Sequence, residues 1–301
     1  MSQPPLFTII VPTYRRPAQL ADCLKALAAL AFPTNKFEVI IVDDGGGTLD
    51  EAFNPLREHG LQWTLREQPN AGPAAARNLG ASHAKGRYLA FTDDDCQPAR
   101  DWLTHLATGF AAQPRVMLGG QTINALTDNI YAAASQLLVD FLYDYYNRRD
   151  NQPAFFTSNN FAVAAAQFHE LGGFDTRYPR AAGEDRAFCQ AWRRAGYSLV
   201  LLPQMRLAHA HAMGARGFWR QHFNYGRAAW HFHQHNQNVG GKGVKSEPLA
   251  FYWQIISYPW RRKAAAAFRL AFLLFLAQGA NALGYFREAW RKSCKAFRLV
   301  L

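Results

Sequence analysis

Residues 88–95 read Tyr-Leu-Ala-Phe-Thr-Asp-Asp-Asp, a short apolar run that ends in three adjacent carboxylates. Such a run is typical of a buried strand. Neighbouring carboxylates repel one another at a buried strand end unless a cation compensates their charge. Carboxylate oxygens are ligands that Mg²⁺ and Mn²⁺ prefer. The stretch therefore indicates either a metal site at the end of a strand or a solvated acidic turn.

Two earlier apolar runs have the same form. Residues 7–11 read Phe-Thr-Ile-Ile-Val and lead into Pro12-Thr13-Tyr14, and residues 37–42 read Phe-Glu-Val-Ile-Ile-Val and lead into Asp43-Asp44-Gly45. In an open parallel sheet, ligands bind outside the carboxyl ends of the strands. We therefore expect these two polar ends and the aspartates at 93–95 to meet at one edge of a sheet.

The rest of the chain alternates between helical and extended patterns. Further strands are predicted near 62–66, within 155–166 and at 198–202, and helices at 73–85, 101–112, 130–146 and 184–196. This alternation predicts an α/β fold with a mostly parallel central sheet flanked by helices.

The first strand end argues against two common nucleotide-binding folds. Residues 11–17 read Val-Pro-Thr-Tyr-Arg-Arg-Pro and contain no glycine, whereas a dinucleotide-binding dehydrogenase needs G-x-G-x-x-G there. No G-x-x-x-x-G-K-[ST] phosphate loop occurs either. Asp43-Asp44 before three glycines suits contacts to a base or ribose, and an ordinary Asp-Gly turn is the alternative.

Two later motifs carry acid–base or ligating groups. Gly183-Glu184-Asp185 stands at the start of a predicted helix, where a carboxylate serves either as a helix cap or as a general base. His209-Ala210-His211 follows the last predicted strand and places two imidazoles on one side of an extended segment. Metal ligation by either histidine and a surface role both stay open at this point.

Length and composition bound the class of protein. The chain has 301 residues, of which 49% are hydrophobic and 18% charged, so a packed core is expected and wholesale disorder is excluded. The four cysteines form no C-x-x-C pair, which predicts reduced thiols rather than a disulfide scaffold or a cysteine zinc site. No signal peptide is expected.

The basic charge is concentrated at the carboxyl end. Residues 261–301 carry +8 of the net +11, and the same segment is rich in Phe, Leu and Trp. This combination favours an anionic membrane surface over a nucleic acid. Residues 264–286 are long enough to span a bilayer, but polar residues and glycines interrupt them. We therefore expect an interfacial or re-entrant helix, with a span or a soluble packed helix as alternatives.

Taken in order, these motifs resemble the family 2 glycosyltransferases of the GT-A fold. The resemblance runs from about residue 6 to residue 230. Its pieces are Ile9-Ile10-Val11-Pro12-Thr13-Tyr14-Arg15-Arg16, Val42-Asp43-Asp44-Gly45, Asn70-Ala71-Gly72-Pro73-Ala74-Ala75-Ala76-Arg77-Asn78-Leu79-Gly80, Phe91-Thr92-Asp93-Asp94-Asp95-Cys96, Gly172-Gly173-Phe174-Asp175 and Gly183-Glu184-Asp185-Arg186. Gly46 departs mildly from the pattern, since a serine often follows the first glycine.

The resemblance implies a nucleotide-sugar site, a metal site and a catalytic base. The donor nucleotide would be bound by Pro12, Tyr14, Asp43, Asp44, Arg77, Asp93 and Asp94. Mn²⁺ or Mg²⁺ would be held by Asp93, Asp95 and His209, with His211 as the alternative histidine. Asp185 would deprotonate the acceptor hydroxyl, and transfer would invert the anomeric centre.

The implied organisation follows from the same resemblance. Residues 1–240 would form the GT-A domain, with a nucleotide-sugar half (1–120) and an acceptor half (121–240), and 241–301 a basic and apolar helical extension that contains the membrane-associating tail, 261–301. Asn159 and Asn160 are candidate acceptor contacts. The expected enzyme is cytoplasmic, lies at the inner face of the cell membrane, prefers a UDP-sugar and acts on a saccharide or lipid-linked acceptor.

Three alternatives remain. Transfer to a polyprenyl phosphate would need no base, because that acceptor is already ionised. A sugar-nucleotide nucleotidyltransferase would share the sheet and the metal carboxylates, although it normally has a glycine-rich basic loop after the first strand. A membrane-tethered binding module with this fold would bind without catalysis.

Overall fold

The computed structural model describes residues 4–47, 49–147, 153–178, 182–238 and 247–298. Two compact units divide the chain: Met1–Ala125 with Tyr146–Ala210, and Leu126–Tyr145 with His211–Leu301. The predicted domain boundary at 240/241 lies outside the described residues.

The first unit contains an eight-stranded mixed sheet. The strands are β1 (Phe7–Thr13), β2 (Phe37–Asp43), β3 (Trp63–Glu67), β4 (Tyr88–Phe91), β5 (Cys96–Pro98), β6 (Met117–Asn124), β7 (Phe161–Ala164) and β8 (Leu199–His209), in the order β3-β2-β1-β4-β7-β6-β8-β5. β3, β2, β1 and β4 are parallel to one another, whereas β7 is antiparallel to both β4 and β6. The predicted α/β fold with a mostly parallel sheet is confirmed.

Helices cover this sheet. They are α1 (Pro17–Ala28), α2 (Asn54–Glu58), α3 (Pro73–Ser82), α4 (Trp102–Ala112), α6 (Ala165–Glu170) and α7 (Glu184–Arg194), with short 3₁₀ turns at Thr34–Lys36 and Asp50–Phe53. β1 and β2 are buried along their whole length, as continuous apolar runs require in a sheet covered on both faces. Cys23, Cys96 and Cys189 are free, buried thiols, in agreement with the prediction for these three.

Two glycines in β6 prevent its prediction as a strand from the sequence. Residues 117–120 read Met-Leu-Gly-Gly, a pattern that does not predict a strand interior. A Cβ at Gly119 would lie 2.1 Å from the Phe156 ring, and one at Gly120 would lie 2.1 Å from the Met205 carbonyl. The close packing of β6 therefore requires these glycines, and for the same reason the strand propensity of the residues does not predict β6.

The second unit is helical. It contains α8 (Ala215–Asn238), α9 (Leu249–Arg261), α10 (Ala267–Arg298) and most of α5 (Ile130–Tyr146). α8 and α10 approach closely at two glycines, because a Cβ at Gly226 would lie 1.8 Å from the Asn281 carbonyl oxygen and one at Gly284 would lie 2.0 Å from that of Phe223. Over Ala267–Lys292, α10 is long and apolar enough to cross a membrane by length and composition alone.

Candidate active site

Three strand ends meet at one edge of the sheet, as predicted. β1 lies between β2 and β4 and is parallel to both, so their carboxyl ends are adjacent. The Thr13 hydroxyl at the end of β1 donates to Asp94 Oδ2 at 2.8 Å. Burial raises the pKa of Asp94 to about 6, although Arg16 and the hydrogen bond from Thr13 both act to lower it.

Arg16 partly neutralises the aspartates. Its Nη1 lies 3.1 Å from Asp94 Oδ1 and 3.1 Å from Asp95 Oδ2. The arginine side chain is 42% exposed, whereas those of Asp94 and Asp95 are almost fully buried, so the cation faces the open side of the cluster. Sequence reasoning assigned no role to Arg16. The two basic residues just beyond the carboxyl end of β1 were the available signal.

His209, the last residue of β8, lies beside the aspartates at 93–95. The pairing of β5 with β8 places Cys96 opposite His209, and His209 Nε2 lies 3.2 Å from Asp95 Oδ1. Burial acts to lower the pKa of His209, but the hydrogen bond and the charge of Asp95 outweigh it and raise the pKa. The predicted strand at 198–202 is longer than expected, because its second half pairs with β5 and with the end of β6.

The donor set fits a divalent cation. Adjacent ligands of an octahedral ion, each at 2.0–2.1 Å from the metal, are about 3 Å apart. The Asp95 oxygen and the His209 nitrogen have this spacing, and a third carboxylate, Asp93, follows β4 in the same turn. The structure thus brings Asp95 and His209 together, and the ligand set Asp93, Asp95 and His209 stays a prediction. His211 belongs to the second unit, and the choice between the two histidines stays a prediction.

Arg77 joins the aspartate cluster to the start of α7. Its Nη2 lies 2.5 Å from Asp93 Oδ1 and its Nη1 lies 3.1 Å from Glu184 Oε1, while only 3% of its side chain is exposed. Glu184 Oε2 also accepts from the Ala182 backbone N–H at 3.0 Å. Burial raises the pKa of Glu184 to about 7. The contact of Arg77 with a nucleotide stays a prediction. Its two ion pairs also connect Asp93 to the start of α7.

Asp185 is the second residue of α7. The helix follows Gly183, whose φ of +86° is in the left-handed region that favours glycine. Asp185 Oδ1 accepts from the Arg186 backbone N–H at 2.7 Å. Burial raises the pKa of Asp185 above its ordinary value, against hydrogen bonds from backbone groups. A raised pKa suits a general base that works near neutral pH.

Asp43 and Asp44 hold loops of the chain. Asp43 Oδ1 accepts from the Gly46 backbone N–H at 2.8 Å. Asp44 Oδ1 accepts from Gln68 Nε2 and the Ala71 backbone N–H, and its Oδ2 from Asn70 Nδ2 and the Gly72 backbone N–H, at 2.7–3.2 Å. Because a carboxylate offers about four lone-pair sites, Asp44 is saturated by the loop before α3. Asp43 is therefore the better placed of the two for the predicted contact to base or ribose.

The remaining predicted residues differ in exposure. Pro12 is buried within β1 opposite Val42, whereas Tyr14 is 40% exposed and its ring lies 5.1 Å from the Arg15 guanidinium carbon. Tyr14 is thus open to a stacking partner, and both assignments stay predictions. Asn160 is fully buried and accepts from Trp102 Nε1 at 2.9 Å, so its amide serves the core.

Known proteins match both the sequence and the fold. The family Glycosyl transferase family 2 matches residues 8–171. The chain is 31% identical over 118 residues to glycosyltransferase AglE of Haloferax volcanii, covering 38% of this chain and 39% of that protein. It is 26% identical over 227 residues to a pre-mycofactocin glycosyltransferase of Mycobacterium tuberculosis, covering 74% and 46%. The chain thus spans less than half the length of these curated relatives.

Solved structures share the fold. The mannosyltransferase PcManGT from Pyrobaculum calidifontis, in complex with GDP-Man and Mn²⁺, superposes with a TM-score of 0.58 at 20% identity, covering 100% of this chain and 82% of that one. TarS 1–349 of Staphylococcus aureus in complex with UDP-GlcNAc gives 0.52 at 17% identity, covering 95% and 92%. Both are GT-A proteins, as the resemblance implied. The family match extends over more than half of the residues, and the chain belongs to glycosyl transferase family 2.

Proposed function

We propose that this chain is a metal-dependent, inverting glycosyltransferase that moves a sugar from a nucleotide-sugar to a saccharide or lipid-linked acceptor. One observation carries the proposal: Asp95 and His209 meet at the carboxyl edge of the sheet, and Arg77 joins the neighbouring Asp93 to Glu184, the first residue of α7, which directly precedes Asp185. These contacts support a donor site and a general base that are linked through Arg77 and Glu184.

The related structures support the choice of donor and cofactor. One is solved with GDP-Man and Mn²⁺, another with UDP-GlcNAc. We propose a nucleotide-sugar donor, with a UDP-sugar favoured, and Mn²⁺ or Mg²⁺ as the cofactor. The bound cation would neutralise the departing diphosphate.

The chain's own groups supply the remaining chemistry. Arg16, exposed beside Asp94 and Asp95, offers a second positive charge to the diphosphate. Tyr14 and Asp43 would receive the nucleoside. Asp185 would take the proton of the acceptor hydroxyl as its oxygen attacks the anomeric carbon from the face opposite the leaving group, which inverts that centre. Acceptor binding falls to residues 121–240.

The proposed partner outside the active site is an anionic membrane surface at the cytoplasmic side, contacted through residues 261–301. The basic charge of this segment and the apolar length of α10 support this assignment.

Release of nucleoside diphosphate tests the activity. The full chain would be incubated with UDP- and GDP-sugars, Mn²⁺ and a membrane lipid extract, and the release of UDP or GDP measured. We expect release from one donor and its loss with EDTA. Release of pyrophosphate from a nucleoside triphosphate and a sugar phosphate, with none from either donor, would instead identify a nucleotidyltransferase.

A further inference from the structure

Helix α10 exposes a continuous apolar face. Its exposed large side chains are Phe268, Phe272, Phe275, Leu283, Phe286 and Trp290, each with 55–81% of its surface accessible. With exposed Gly279 included, they recur at intervals of three or four residues, which places them along one side of a helix with 3.6 residues per turn. Monomeric soluble proteins rarely expose a contiguous apolar surface of this kind, so the face calls for a partner.

Helix α9 extends the same surface. Leu249, Trp253 and Trp260 are exposed along it by 44–88%. Trp260 at its end meets Phe268 at the start of α10, with ring centroids 5.2 Å apart in an edge-to-face arrangement. We call the nine exposed side chains of the two helices the α9–α10 apolar face. The residues before 261 in this face were not part of the predicted membrane segment.

Most of the charged residues along α9 and α10 are basic. The exposed cations there are Arg261, Arg262, Lys263, Arg269, Arg287, Arg291 and Lys292. The single acid between residues 248 and 292, Glu288, is 4% exposed and turned inward. Glu288 Oε2 lies 2.7 Å from Arg227 Nε, so α8 cancels the one negative charge. Within residues 248–292 an anionic surface therefore finds exposed cations and no exposed carboxylate, with Arg287 and Lys292 also lying over rings of α8 and Arg291 near Glu288.

The opposite side of α10 excludes lipid. Leu274, Ala277 and Gly284 are buried, and the close contact at Gly284 fixes α10 against α8. Helix α8 exposes Arg216 and Arg220 near Phe218, which packs in one cluster with Leu270 and Leu273 of α10. A membrane-spanning α10 would draw these arginines into hydrocarbon, at a high cost in free energy. A helix lying in the interface plane keeps them in water.

We propose that the α9–α10 apolar face binds an anionic bilayer surface in the plane of the interface, without a membrane span. Aromatic side chains enter the headgroup boundary, where Trp is favoured, and the surrounding Lys and Arg contact anionic headgroups. The inference rests on the membrane partner named in the proposed function and adds the residues, the orientation and the exclusion of a span.

Vesicle binding tests the surface. The full chain would be sedimented with vesicles of phosphatidylcholine alone and of phosphatidylcholine mixed with phosphatidylglycerol. We expect binding to the mixed vesicles only, and a loss of at least about tenfold in the partition coefficient for each of Phe272→Ser and Phe275→Ser. Ile123→Ser, which removes an exposed apolar side chain in the first unit, is the matched control and should bind like the wild type.

Depth measurements test the orientation. Phe268, Gly279 and Trp290 lie eleven residues apart on the face, and the space around the Gly279 Cα is open. Single Phe268→Cys, Gly279→Cys and Trp290→Cys variants, in a Cys294→Ser background, would carry a spin label for accessibility measurements. An in-plane helix predicts one shallow depth at all three positions. A deep centre between shallow ends would establish a span and overturn the proposal.

Two further results would contradict the surface assignment. In the first, the wild-type protein does not sediment with the mixed vesicles. In the second, the chain self-associates and Phe272→Ser abolishes the association, which would make the face an interface between copies of the chain. Nucleotide binding is measured on the same variants and should be unchanged. Vesicle binding without nucleotide binding would refute the proposed catalysis and leave the membrane proposal standing.

Discussion

At the scale of single residues, Asp185 combines a raised pKa with a position at the start of α7, braced through Glu184 and Arg77. We predict that Asp185→Asn lowers the rate of sugar transfer by at least about 10²-fold, because the variant cannot accept the proton of the acceptor hydroxyl. Binding of nucleotide and Mn²⁺, measured by calorimetry, should be retained. Wild-type transfer by the variant would favour an acceptor that is already ionised, such as a polyprenyl phosphate.

The raised pKa of Asp185 also predicts a pH dependence. A base must be ionised to act, so kcat/KM should fall as the pH drops through the raised pKa. The acid limb should lie above 3.8, the ordinary value for an aspartate. Since burial also raises the pKa of the adjacent Glu184, the acid limb belongs to the pair rather than to one group. A pH–rate profile that stays flat down to pH ~4 would remove Asp185 from the role of base.

Arg77 forms ion pairs with two carboxylates, so its loss should destabilise the folded state. Arg77→Met leaves the buried Glu184 and the partly exposed Asp93 without their shared cation. Breaking a buried pair in this way costs about 3–5 kcal/mol, which urea unfolding of the nucleotide-free protein would measure. Arg77→Met combined with Glu184→Gln should recover part of the loss. An unchanged free energy of unfolding, with only nucleotide binding weakened, would assign Arg77 to the ligand alone.

At the scale of elements, the contact between α8 and α10 depends on missing side chains. We predict that Gly284→Ala lowers the free energy of unfolding by about 1–3 kcal/mol, because its Cβ would lie 2.0 Å from the Phe223 carbonyl oxygen. Gly279→Ala is the control in the same helix. It meets open space and should stabilise the helix by up to ~1 kcal/mol. Equal thermal stability of the two variants would contradict the close packing of the helices.

Elements with strong local patterns could be predicted, and those shaped by tertiary contacts could not. The apolar runs of β1 and β2 and the helical spacing of α5 carry their own signal. β6 does not, because its glycines serve contacts with Phe156 and Met205 from distant parts of the chain. α9 is obscured by Pro259 within the helix. In the site, the run of carboxylates Asp93–Asp95 could be recognised from the sequence. The pairing of Arg77 with Glu184 could not, because these residues are 107 positions apart in the chain.

At the scale of the whole molecule, the two units divide the proposed work. The first unit carries Asp93, Asp94, Asp95, His209 and Asp185. The second carries the basic segment and the α9–α10 apolar face. Charge follows this division, since the first unit holds only +2 of the net +11. Membrane contact and donor binding are therefore separable by substitution.

The measurement that tests the central claim most directly is thermal unfolding with UDP and with GDP, each with and without Mn²⁺, on the wild type and on Asp95→Asn. A ligand at 100 times its Kd stabilises the folded state by about 2.7 kcal/mol, which raises Tm by several degrees. The account predicts a rise with one nucleotide, dependent on Mn²⁺ and lost in Asp95→Asn. An unchanged Tm with both nucleotides, or a rise of equal size in the variant, would contradict a metal-dependent donor site at Asp95.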